Sequence, residues 1–554
     1  MKVVIIGGVA AGPKSGTVLA RRMSEAEIVL FQREKNVSYG TCGLPYYASG
    51  DIGSFEELTN TGYDIPRTPE FFKKTKGITV IPEREVVEID RSSKKVKVKD
   101  LKKNEIFEES YDKLVIATGA KPVKAPFAVP DSDKIGHFTR PEDAINFRKK
   151  AETGQVGKAV VIGGGFIGCE LAEAAGSLWG IETVLIEKES QLLPYVLDQE
   201  MSLIVERELA RQDIKVHLET GVEEITLSDD GNPVVHIENE AIEADYIFLC
   251  LGVRPETGLA EKCGLEIGTT GGIKVNQRLQ TSDPDIYAGG DCIESFNLVS
   301  KKPLYIPMGS LANRHGRVIA ENLAGNEETF NGVTGAFFVK VFDMNVGAVG
   351  LSEMAARKYG IETDTVWGSF PDKPDYYPEV QTLVIKLVYE KKTERLLGLQ
   401  AVGKGDIFRR IDVMSTFLYD GKTVADLFDF EHGYAPPYSE ALDPLHQLAG
   451  LAQARDRGID VASFDFDAGG EITWLDVREP DEIASLPWPV GDNQTIKTIT
   501  LNDLREHLKE LDKDRQVNIV CRRGPRSYQA AVILKNAGFK KVAVLGGGTQ
   551  AALS

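Results

Sequence analysis

The segment that most constrains the fold is a glycine-rich turn at residues 163–168. The β-branched run 159–162 precedes it, an apolar helical stretch follows it, and a second apolar run, 183–186, ends at Glu187. This order predicts a strand–turn–helix–strand unit that binds a dinucleotide. The first glycine of such a turn permits the tight bend, the second lets the backbone approach a pyrophosphate, and the third packs the helix on the strand. Glu187 is placed to accept ribose hydroxyls and would repel a 2′-phosphate, which favours NADH over NADPH.

A second, less complete copy of this unit opens the chain. The run 3–6 is a predicted strand, and the turn after it contains Gly7 and Gly12. Val9 stands where the middle glycine belongs, and Gln32 stands where an acidic residue would bind the ribose. The residues alone therefore leave two interpretations open: a nucleotide site, or ordinary packing of a strand, a turn and a helix.

Length and composition limit the classes of protein to which the chain can belong. Its 554 residues are too many for one core and predict three or more domains. The net charge of -18 argues against nucleic acid as a partner, because phosphate binding needs a basic surface. No apolar run approaches the ~20 residues of a membrane-spanning helix, and the start at 1–6 predicts a buried strand, not a signal peptide. Six cysteines without disulfide spacing are typical of a reducing cytosol, so we expect a cytoplasmic protein.

One cysteine, Cys42, stands alone in the run SYGTCGLPYY, about thirty residues after the first glycine turn. The sequence contains no CxxC or CxxxxC pair, so Cys42 cannot form a close-spaced disulfide within its own chain. Its oxidised partner must then be a small thiol, a persulfide sulfur or an oxygen atom. No metal-ligand spacing accompanies it, and no metal site is predicted.

Two further segments complete a pattern. The strand 111–116 runs into Ala117, Thr118 and Gly119, and the segment 281–291 closes on Asp291. With the two glycine turns, this arrangement resembles the flavin-containing pyridine nucleotide-disulfide oxidoreductases from residue 1 to about residue 450. The resemblance implies that the first unit binds FAD and the second NADH.

The same resemblance implies roles for single residues. Asp291 would contact the ribityl chain of the flavin, Asn313 would lie beside it, and Phe166 would gate the nicotinamide pocket. The implied FAD residues are Gly7, Val9, Ala10, Gly12, Gln32, Arg33, Val86, Ala117, Thr118, Gly119, Asp291 and Asn313. The implied NADH residues are Gly163, Gly165, Phe166, Ile167, Gly168, Glu187 and Gly252.

Within the family, the single-cysteine run is similar to that of coenzyme A-disulfide reductases and their relatives. Tyr47 occupies the position where two-cysteine members carry a second thiol. Ala10 stands where the NADH peroxidases and oxidases carry a histidine, which counts against peroxide as the main substrate. The family's coenzyme A contacts are retained at Arg21, Ser38 and Lys76, whereas other positions have changed: Val18, Thr41 and Leu442. Whether coenzyme A binds tightly stays open.

Two tyrosines match segments that the family's dimerisation domain sends into the partner subunit's active site. They are Tyr376 and Tyr434. The resemblance implies a homodimer whose active site is shared between subunits, with a phenol donating a proton to a leaving thiolate. The alternative is that both rings only fill a dimer interface.

The last ninety residues predict a separate α/β module around a second thiol. The strand 517–520 runs directly into Cys521, and a helix is predicted from Ser527. A cysteine between a strand and a helix N-terminus lies in a loop whose amides converge on sulfur, and Arg526 lies nearby, so we expect a stabilised thiolate or persulfide. The DVRE and CxxGxRS motifs resemble a single-domain rhodanese. That family's HIPGA segment is missing, and 488–500 is expected to be irregular.

The predicted fold class is α/β, with Rossmann-like FAD and NAD domains, an α+β dimerisation domain and a C-terminal α/β rhodanese domain. The FAD domain comprises 1–150 and 256–325, and the NAD domain 151–255. The remaining divisions are a dimerisation domain at 326–450, a linker at 451–464 and the rhodanese domain at 465–554.

The resulting hypothesis is an NADH-dependent flavoprotein that reduces persulfides, polysulfides or coenzyme A disulfide at Cys42. Cys521 would deliver sulfane sulfur by thiol–disulfide exchange chemistry. Three alternatives stay open: a plain coenzyme A-disulfide reductase with an incidental rhodanese domain, an NADH oxidase, and a non-enzymatic persulfide sensor or carrier.

Overall fold

The computed structural model describes residues 1–455, 458–462, 472–489 and 494–553. Its contacts divide the chain into two compact units. Unit 1 comprises Met1–Ser190 and Gln212–Val333, and unit 2 comprises Gln191–Arg211 and Thr334–Ser554. None of the helices within the described ranges has the length and apolar character needed to cross a bilayer.

The first sheet of unit 1 is parallel and has five strands. Their order across the sheet is Ile286–Ala288, Lys113–Ile116, Lys2–Ile6, Glu27–Gln32 and Thr79–Pro82. The run that opens the chain takes the central place because its apolar side chains are buried on both faces of the sheet. Helix Ala11–Arg22 connects it to its neighbour, as the first glycine turn predicts.

The second sheet of unit 1 repeats this design. Its strands, in order, are Lys215–His217, Glu182–Ile186, Lys158–Ile162, Tyr246–Leu249 and Ile135–Gly136, all parallel. Helix Phe166–Gly176 follows the central strand and begins within the glycine turn itself. Both predicted dinucleotide units are therefore formed, and the turn residues lie at the carboxyl edge of each sheet.

Smaller elements complete unit 1. Two three-stranded antiparallel sheets contain Arg84–Asp90, Lys95–Asp100 and Glu105–Ser110, and Val222–Leu227, Pro233–Ile237 and Glu240–Glu243. Two-stranded pairs join Ala120–Pro122 to Val253–Pro255 and Ser295–Phe296 to Pro303–Leu304. The other helical segments are Thr41–Gly43, Leu44–Ser49, Phe55–Thr59, Pro69–Phe71, Phe72–Lys76, Pro141–Glu152, Gly258–Lys262 and Gly309–Leu323.

Unit 2 contains an antiparallel five-stranded sheet. Its strands, in order, are Phe337–Val341, Met344–Gly350, Leu396–Gly403, Thr382–Glu390 and Thr363–Pro371. Its helices are Gln199–Arg211, Glu353–Lys358, Phe408–Tyr419, Val424–Asp429 and Pro444–Arg455. The first of these helices comes from the chain between two strands of the second parallel sheet of unit 1.

A parallel sheet forms the C-terminal part of unit 2. Its strands, in order, are Ile459–Ala462, Val542–Leu545, Gln516–Val520, Ile472–Asp476 and Gln494–Thr498. Its helical segments are Pro480–Ser485, Leu508–Glu510, Pro525–Asn536 and Gly548–Leu553. Gln494–Thr498 lies where we expected irregular chain. This segment forms an edge strand, whose side chains are largely in solvent. Its residues are therefore polar, and their pattern did not predict a strand.

Within unit 2 the two sheets pack through close contacts. Gly546 lies on the Trp367 ring, where an added Cβ would come within 2.1 Å of the indole. The Ser369 hydroxyl donates to the Gly547 carbonyl at 2.7 Å. The fold class is as predicted, whereas the domain limits given above stay predictions.

Candidate redox and sulfur-transfer sites

The two glycine turns of unit 1 have the same backbone geometry. The first glycines, Gly7 and Gly163, have φ angles of 106° and 109°, which favour glycine. The third glycines pack against them: a Cβ on Gly12 would lie 1.9 Å from the Gly7 oxygen, and one on Gly168 would lie 1.8 Å from the Gly163 oxygen. Around Gly165 the space is open, which suits approach of a phosphate to the backbone.

The residues at the ends of the second strands also correspond. The Gly8 amide donates to Gln32 Oε1 at 2.8 Å, and the Gly164 amide donates to Glu187 Oε2 at 2.6 Å. Gln32 thus makes the turn contact that Glu187 makes in the second unit. The other Glu187 oxygen accepts from the Glu189 amide at 2.8 Å, so this buried carboxylate is held from two sides.

Asp291 shows that the first unit fits a group rich in hydroxyls. Burial raises the pKa of its carboxyl to about 6, while the Met308 amide is the hydrogen-bond donor that stabilises the charge. A half-buried carboxylate with so little compensation gains stability from further donors such as sugar or ribityl hydroxyls. The residues present therefore fit FAD at the place that the sequence indicates.

The other predicted cofactor residues are distributed along unit 1. Val86 is buried, Arg33 and Gly252 are exposed, and Phe166 keeps 38% of its surface exposed. The exposed Asn313 donates to the Gly309 carbonyl at 2.9 Å. The partly buried remainder lie in the turns and strand ends: Val9, Ala10, Ala117, Thr118, Gly119 and Ile167.

Cys42 lies in the short helical turn Thr41–Gly43, directly before helix Leu44–Ser49. It is exposed and free. A Cβ placed on Gly309 would lie 3.8 Å from its sulfur, so the thiol adjoins the start of helix Gly309–Leu323. Desolvation by the surrounding walls raises the pKa of Cys42, and the charges of Glu170 and Asp291 raise it further.

Glu170 is a functional candidate that sequence reasoning missed. It lies on helix Phe166–Gly176, one turn after the fingerprint, and its Oε1 accepts from the Tyr46 hydroxyl at 3.3 Å. Burial raises its pKa to about 7, and the nearby Glu173 adds to this shift. The available signal was the presence of two carboxylates, Glu170 and Glu173, in the otherwise apolar run FIGCELAEAAG. Tyr46, Glu170, Glu173 and Asp51 are among the residues that line a small pocket.

Two side chains fix the helix that follows Cys42. The Arg148 guanidinium donates to three carbonyls, those of Tyr47 at 3.1 Å, Ile52 at 2.7 Å and Gly53 at 2.9 Å. The Trp179 indole donates to the Ala48 carbonyl at 2.8 Å. The loop that bears the thiol is therefore held by side chains that are distant in sequence.

The three predicted coenzyme A residues lie in unit 1 without a contact that joins them. Arg21 is exposed in the last turn of helix Ala11–Arg22, and Lys76 lies 5.3 Å from the Phe71 ring centroid. Ser38 has a φ of 51°, and its carbonyl accepts from Arg67 at 2.7 Å. Arg67 is therefore a further cation beside Ser38.

Tyr376 and Tyr434 are brought together in unit 2. The two phenols are neighbours, and Tyr434 raises the pKa of Tyr376. Both rings are exposed, with 74% and 50% of their surfaces accessible. The structure thus places the two predicted phenols as one pair on the surface of unit 2.

The second thiol, Cys521, is buried at the end of strand Gln516–Val520. The Gly524 amide donates to its sulfur at 3.1 Å, and Gly524 has a φ of 135°. The Cys521 carbonyl accepts from the Thr549 amide at 2.9 Å. The loop amide therefore points at sulfur, in the way that its sequence predicts.

The arginines of this loop are paired with carboxylates. Arg526 binds Glu482 through two bonds of 2.6 and 2.7 Å, which lower the pKa of Glu482 to about 2. Arg523 binds both oxygens of Asp375, at 2.7 and 2.9 Å. Arg526 thus lies beside Cys521, as expected, with its charge balanced by Glu482.

Comparison with known families gives three matches along the chain. Residues 1–303 match the model described as pyridine nucleotide-disulphide oxidoreductase, and residues 337–446 match the dimerisation domain of that family. Residues 466–553 match the rhodanese-like domain.

Individual proteins resemble the chain over most of their length. An NAD(P)H sulfur oxidoreductase (CoA-dependent) from Pyrococcus abyssi is 35% identical over 81% of this chain and 97% of its own. An NADH oxidase from Methanocaldococcus jannaschii is 33% identical over 81% and 98%. The solved structure of an NAD-dependent persulfide reductase from A. fulgidus is 39% identical, covers 100% of both chains and has a TM-score of 0.94.

Proposed function

Because the chain belongs to the pyridine nucleotide-disulphide oxidoreductase family and carries a rhodanese-like domain, we propose that it reduces persulfides, polysulfides and coenzyme A disulfide at Cys42. The family depends on FAD and NAD(P)H. Of the two pyridine nucleotides, the buried carboxylate of Glu187 favours NADH. We expect the protein to act in the cytoplasm as a homodimer.

The observation that carries the proposal is the environment of Cys42. The thiol is exposed and adjoins Gly309. Two negative charges raise its pKa: that of Asp291, from the first dinucleotide unit, and that of Glu170, from the second. No second cysteine of the described residues is bonded to it. The covalent partner of an oxidised Cys42 would therefore be an external sulfur or oxygen atom.

In the proposed reaction, residues of this chain bind the cofactor and attack the substrate. FAD, when bound, supplies a two-electron relay between NADH and a sulfur–sulfur bond. Asp291 would bind hydroxyls of that cofactor. The Cys42 thiolate would attack the substrate sulfur, and the sulfur–sulfur bond would break with its electron pair on the leaving thiolate. Overall, NADH, a proton and RSSH give NAD⁺, RSH and H₂S.

The phenol pair and the second thiol support the same chemistry. In a homodimer, Tyr376 or Tyr434 of one subunit would donate a proton to the thiolate that leaves Cys42 of the other. Cys521 would accept sulfane sulfur and hold it as a persulfide. A carrier thiol would then take this sulfur to Cys42. We expect the carrier to be coenzyme A, bound at Arg21, Ser38 and Lys76. Fusion of the two modules raises the local concentration of that carrier.

Replacing Cys42 with serine tests the proposal directly. We expect Cys42→Ser to retain FAD and to consume one equivalent of NADH under anaerobic conditions, because neither step uses the thiol. Steady-state turnover with a persulfide should fall by about 10³-fold or more, as for loss of a nucleophile. Stopped-flow absorbance of the flavin and sulfide release measure the two steps, and turnover that survives in the variant would contradict the proposal.

One relative's description favours a second candidate, NADH oxidation by oxygen. Oxygen consumption with NADH and no sulfur substrate distinguishes the two activities. Plain coenzyme A-disulfide reduction predicts that Cys521→Ser leaves turnover with coenzyme A disulfide unchanged and that polysulfide is a poor substrate. Ala10 in the first turn continues to count against peroxide.

A further inference from the structure

We propose that Asp375 is a specificity-determining residue that makes Cys521 select alkyl persulfide donors, which react as neutral hydropersulfides, over dianionic donors such as thiosulfate. The inference rests on the proposed sulfur transfer by Cys521. It states which sulfur donors Cys521 accepts, and it gives a role to Asp375, a residue outside the rhodanese-like module that carries the thiol.

The argument begins with the charges around the Cys521 loop. Three arginines follow the thiol: Arg522, Arg523 and Arg526. A loop of this kind would attract dianions if the guanidinium charges were unmasked. Arg526 is already neutralised within the module, by the two bonds to Glu482.

Arg523 is neutralised from outside the module. Asp375 lies between strands Thr363–Pro371 and Thr382–Glu390 of the antiparallel sheet, and both of its oxygens bind the Arg523 guanidinium. The field of Arg523 also reaches Glu440, which lies near Asp375. Two of the three arginines, Arg523 and Arg526, are thus each paired with a carboxylate, which masks their charges.

The position of Arg523 does not depend on Asp375 alone. Its Nε donates to Gln550 Oε1 at 3.2 Å, and the Gln550 amide group donates to Thr382 Oγ1 at 2.8 Å. Removal of the Asp375 charge would therefore unmask the guanidinium while this second anchor holds it in place beside Gln550. The mouth of the loop would then carry one more positive charge.

The transfer step shows why this charge matters. The Cys521 thiolate attacks the sulfane sulfur of thiosulfate, a new sulfur–sulfur bond forms, and sulfite leaves with the electron pair of the broken bond. Two negative charges must approach and two must leave. An alkyl persulfide accepts the attack as its neutral hydropersulfide RSSH: the outer sulfur and its proton pass to Cys521, and a single thiolate RS⁻ leaves. Only the first donor gains strongly from an unpaired guanidinium.

The test compares two donors in the full-length holoenzyme. Sulfur transfer to saturating cyanide is measured with thiosulfate and with 2-hydroxyethyl persulfide. We expect Asp375→Asn to raise kcat/KM for thiosulfate about tenfold, chiefly through KM, and to change kcat/KM for the persulfide, which reacts as its neutral form, by less than about twofold. Added salt should erase the gain, because an exposed charge is screened.

Two control variants separate charge from structure. Asp375→Glu keeps the carboxylate and should keep the donor preference of the wild type. Asp343→Asn removes another exposed, ion-paired aspartate of unit 2, the partner of Lys404 at 3.2 Å, and should leave both donors unchanged.

An equal change of both donors in Asp375→Asn, or no change, would overturn the inference while leaving the proposed function intact. The proposed function fails separately if the wild type does not reduce persulfide with NADH, or if Cys521→Ser still transfers sulfur to cyanide.

Discussion

At the scale of single residues, Glu170 is the group whose ionisation most directly affects the thiol. Its carboxyl has a pKa raised to about 7 by burial, and its charge helps to raise the pKa of Cys42. Below about pH 7 Glu170 is mostly neutral, and above it the growing negative charge opposes formation of the Cys42 thiolate.

Replacing Glu170 with glutamine should make the thiol easier to ionise. The amide is neutral at every pH, so we expect Cys42 in Glu170→Gln to reach half-maximal alkylation by iodoacetamide at a lower pH than in the wild type. The measurement is the alkylation rate of the Cys42 peptide against pH, followed by mass spectrometry.

Glu152→Gln provides the control for this shift. Glu152 is an exposed glutamate at the end of helix Pro141–Glu152, and it does not contribute to the pKa of Cys42. An unchanged alkylation profile in Glu170→Gln, or an equal shift in both variants, would show that the charge of Glu170 does not control the ionisation of Cys42.

At the scale of secondary-structure elements, a buried ion cluster fixes helix Gln199–Arg211 to the antiparallel sheet. Lys386, on strand Thr382–Glu390, has a fully buried ammonium with three carboxylates around it. The distances from its Nζ are 2.9 Å to Asp198, 2.6 Å to Glu200 and 3.0 Å to Glu353. Burial opposes the charge, but the carboxylates outweigh it and raise the pKa of Lys386.

Removal of this lysine should destabilise unit 2 strongly. Lys386→Met leaves three buried or half-buried carboxylates without their cation, and loss of one partner of a buried ion pair typically costs about 3–5 kcal/mol. We expect the thermal unfolding transition of this unit to shift to a lower temperature, which differential scanning calorimetry measures.

The matched change is Lys392→Met on the same hairpin. Lys392 is 82% exposed and lies 3.5 Å from Glu362, so its loss should cost less than about 1 kcal/mol. Equal shifts in the two variants would show that the buried cluster does not stabilise unit 2 beyond an ordinary surface pair.

At the scale of the whole molecule, the proposed active site needs two subunits. Cys42 belongs to unit 1, and the exposed pair of Tyr376 and Tyr434 belongs to unit 2. The family's dimerisation domain matches residues 337–446, which include both tyrosines. The proposal therefore makes a prediction about mixed dimers.

Dimers of one Cys42→Ser chain and one Tyr376→Phe, Tyr434→Phe chain should regain activity. If sites are shared, one site of each mixed dimer is intact, and about half of the wild-type activity per dimer is expected from the two-fold symmetry. Differently tagged chains, purified by both tags, give the material, and NADH oxidation with persulfide gives the rate.

The parent homodimers are the controls for this experiment. Both should be nearly inactive, since one lacks the thiol and the other the phenols in every site. A mixed dimer no more active than the mean of its parents would place each active site within a single chain.

Much of this architecture follows from the chain alone, because it depends on local pattern. Glycines at 163, 165 and 168 after a β-branched run can form little other than a tight turn between a strand and a helix. The same reasoning identified the Cys521 loop, where a strand leads directly into the thiol. The strand Gln494–Thr498 escaped it, because a polar edge strand has no apolar alternation to recognise.

Other features were decided only by tertiary structure, because they join residues far apart in the chain. Asp375 lies 148 positions before Arg523, and Glu170 lies 124 positions after Tyr46. No local pattern encodes such a pairing, since charges of either sign are common on any surface. Sequence by itself determined which thiols and glycines this protein has for its chemistry. Folding decided which carboxylates lie near Cys42 and which ones pair with the arginines beside Cys521.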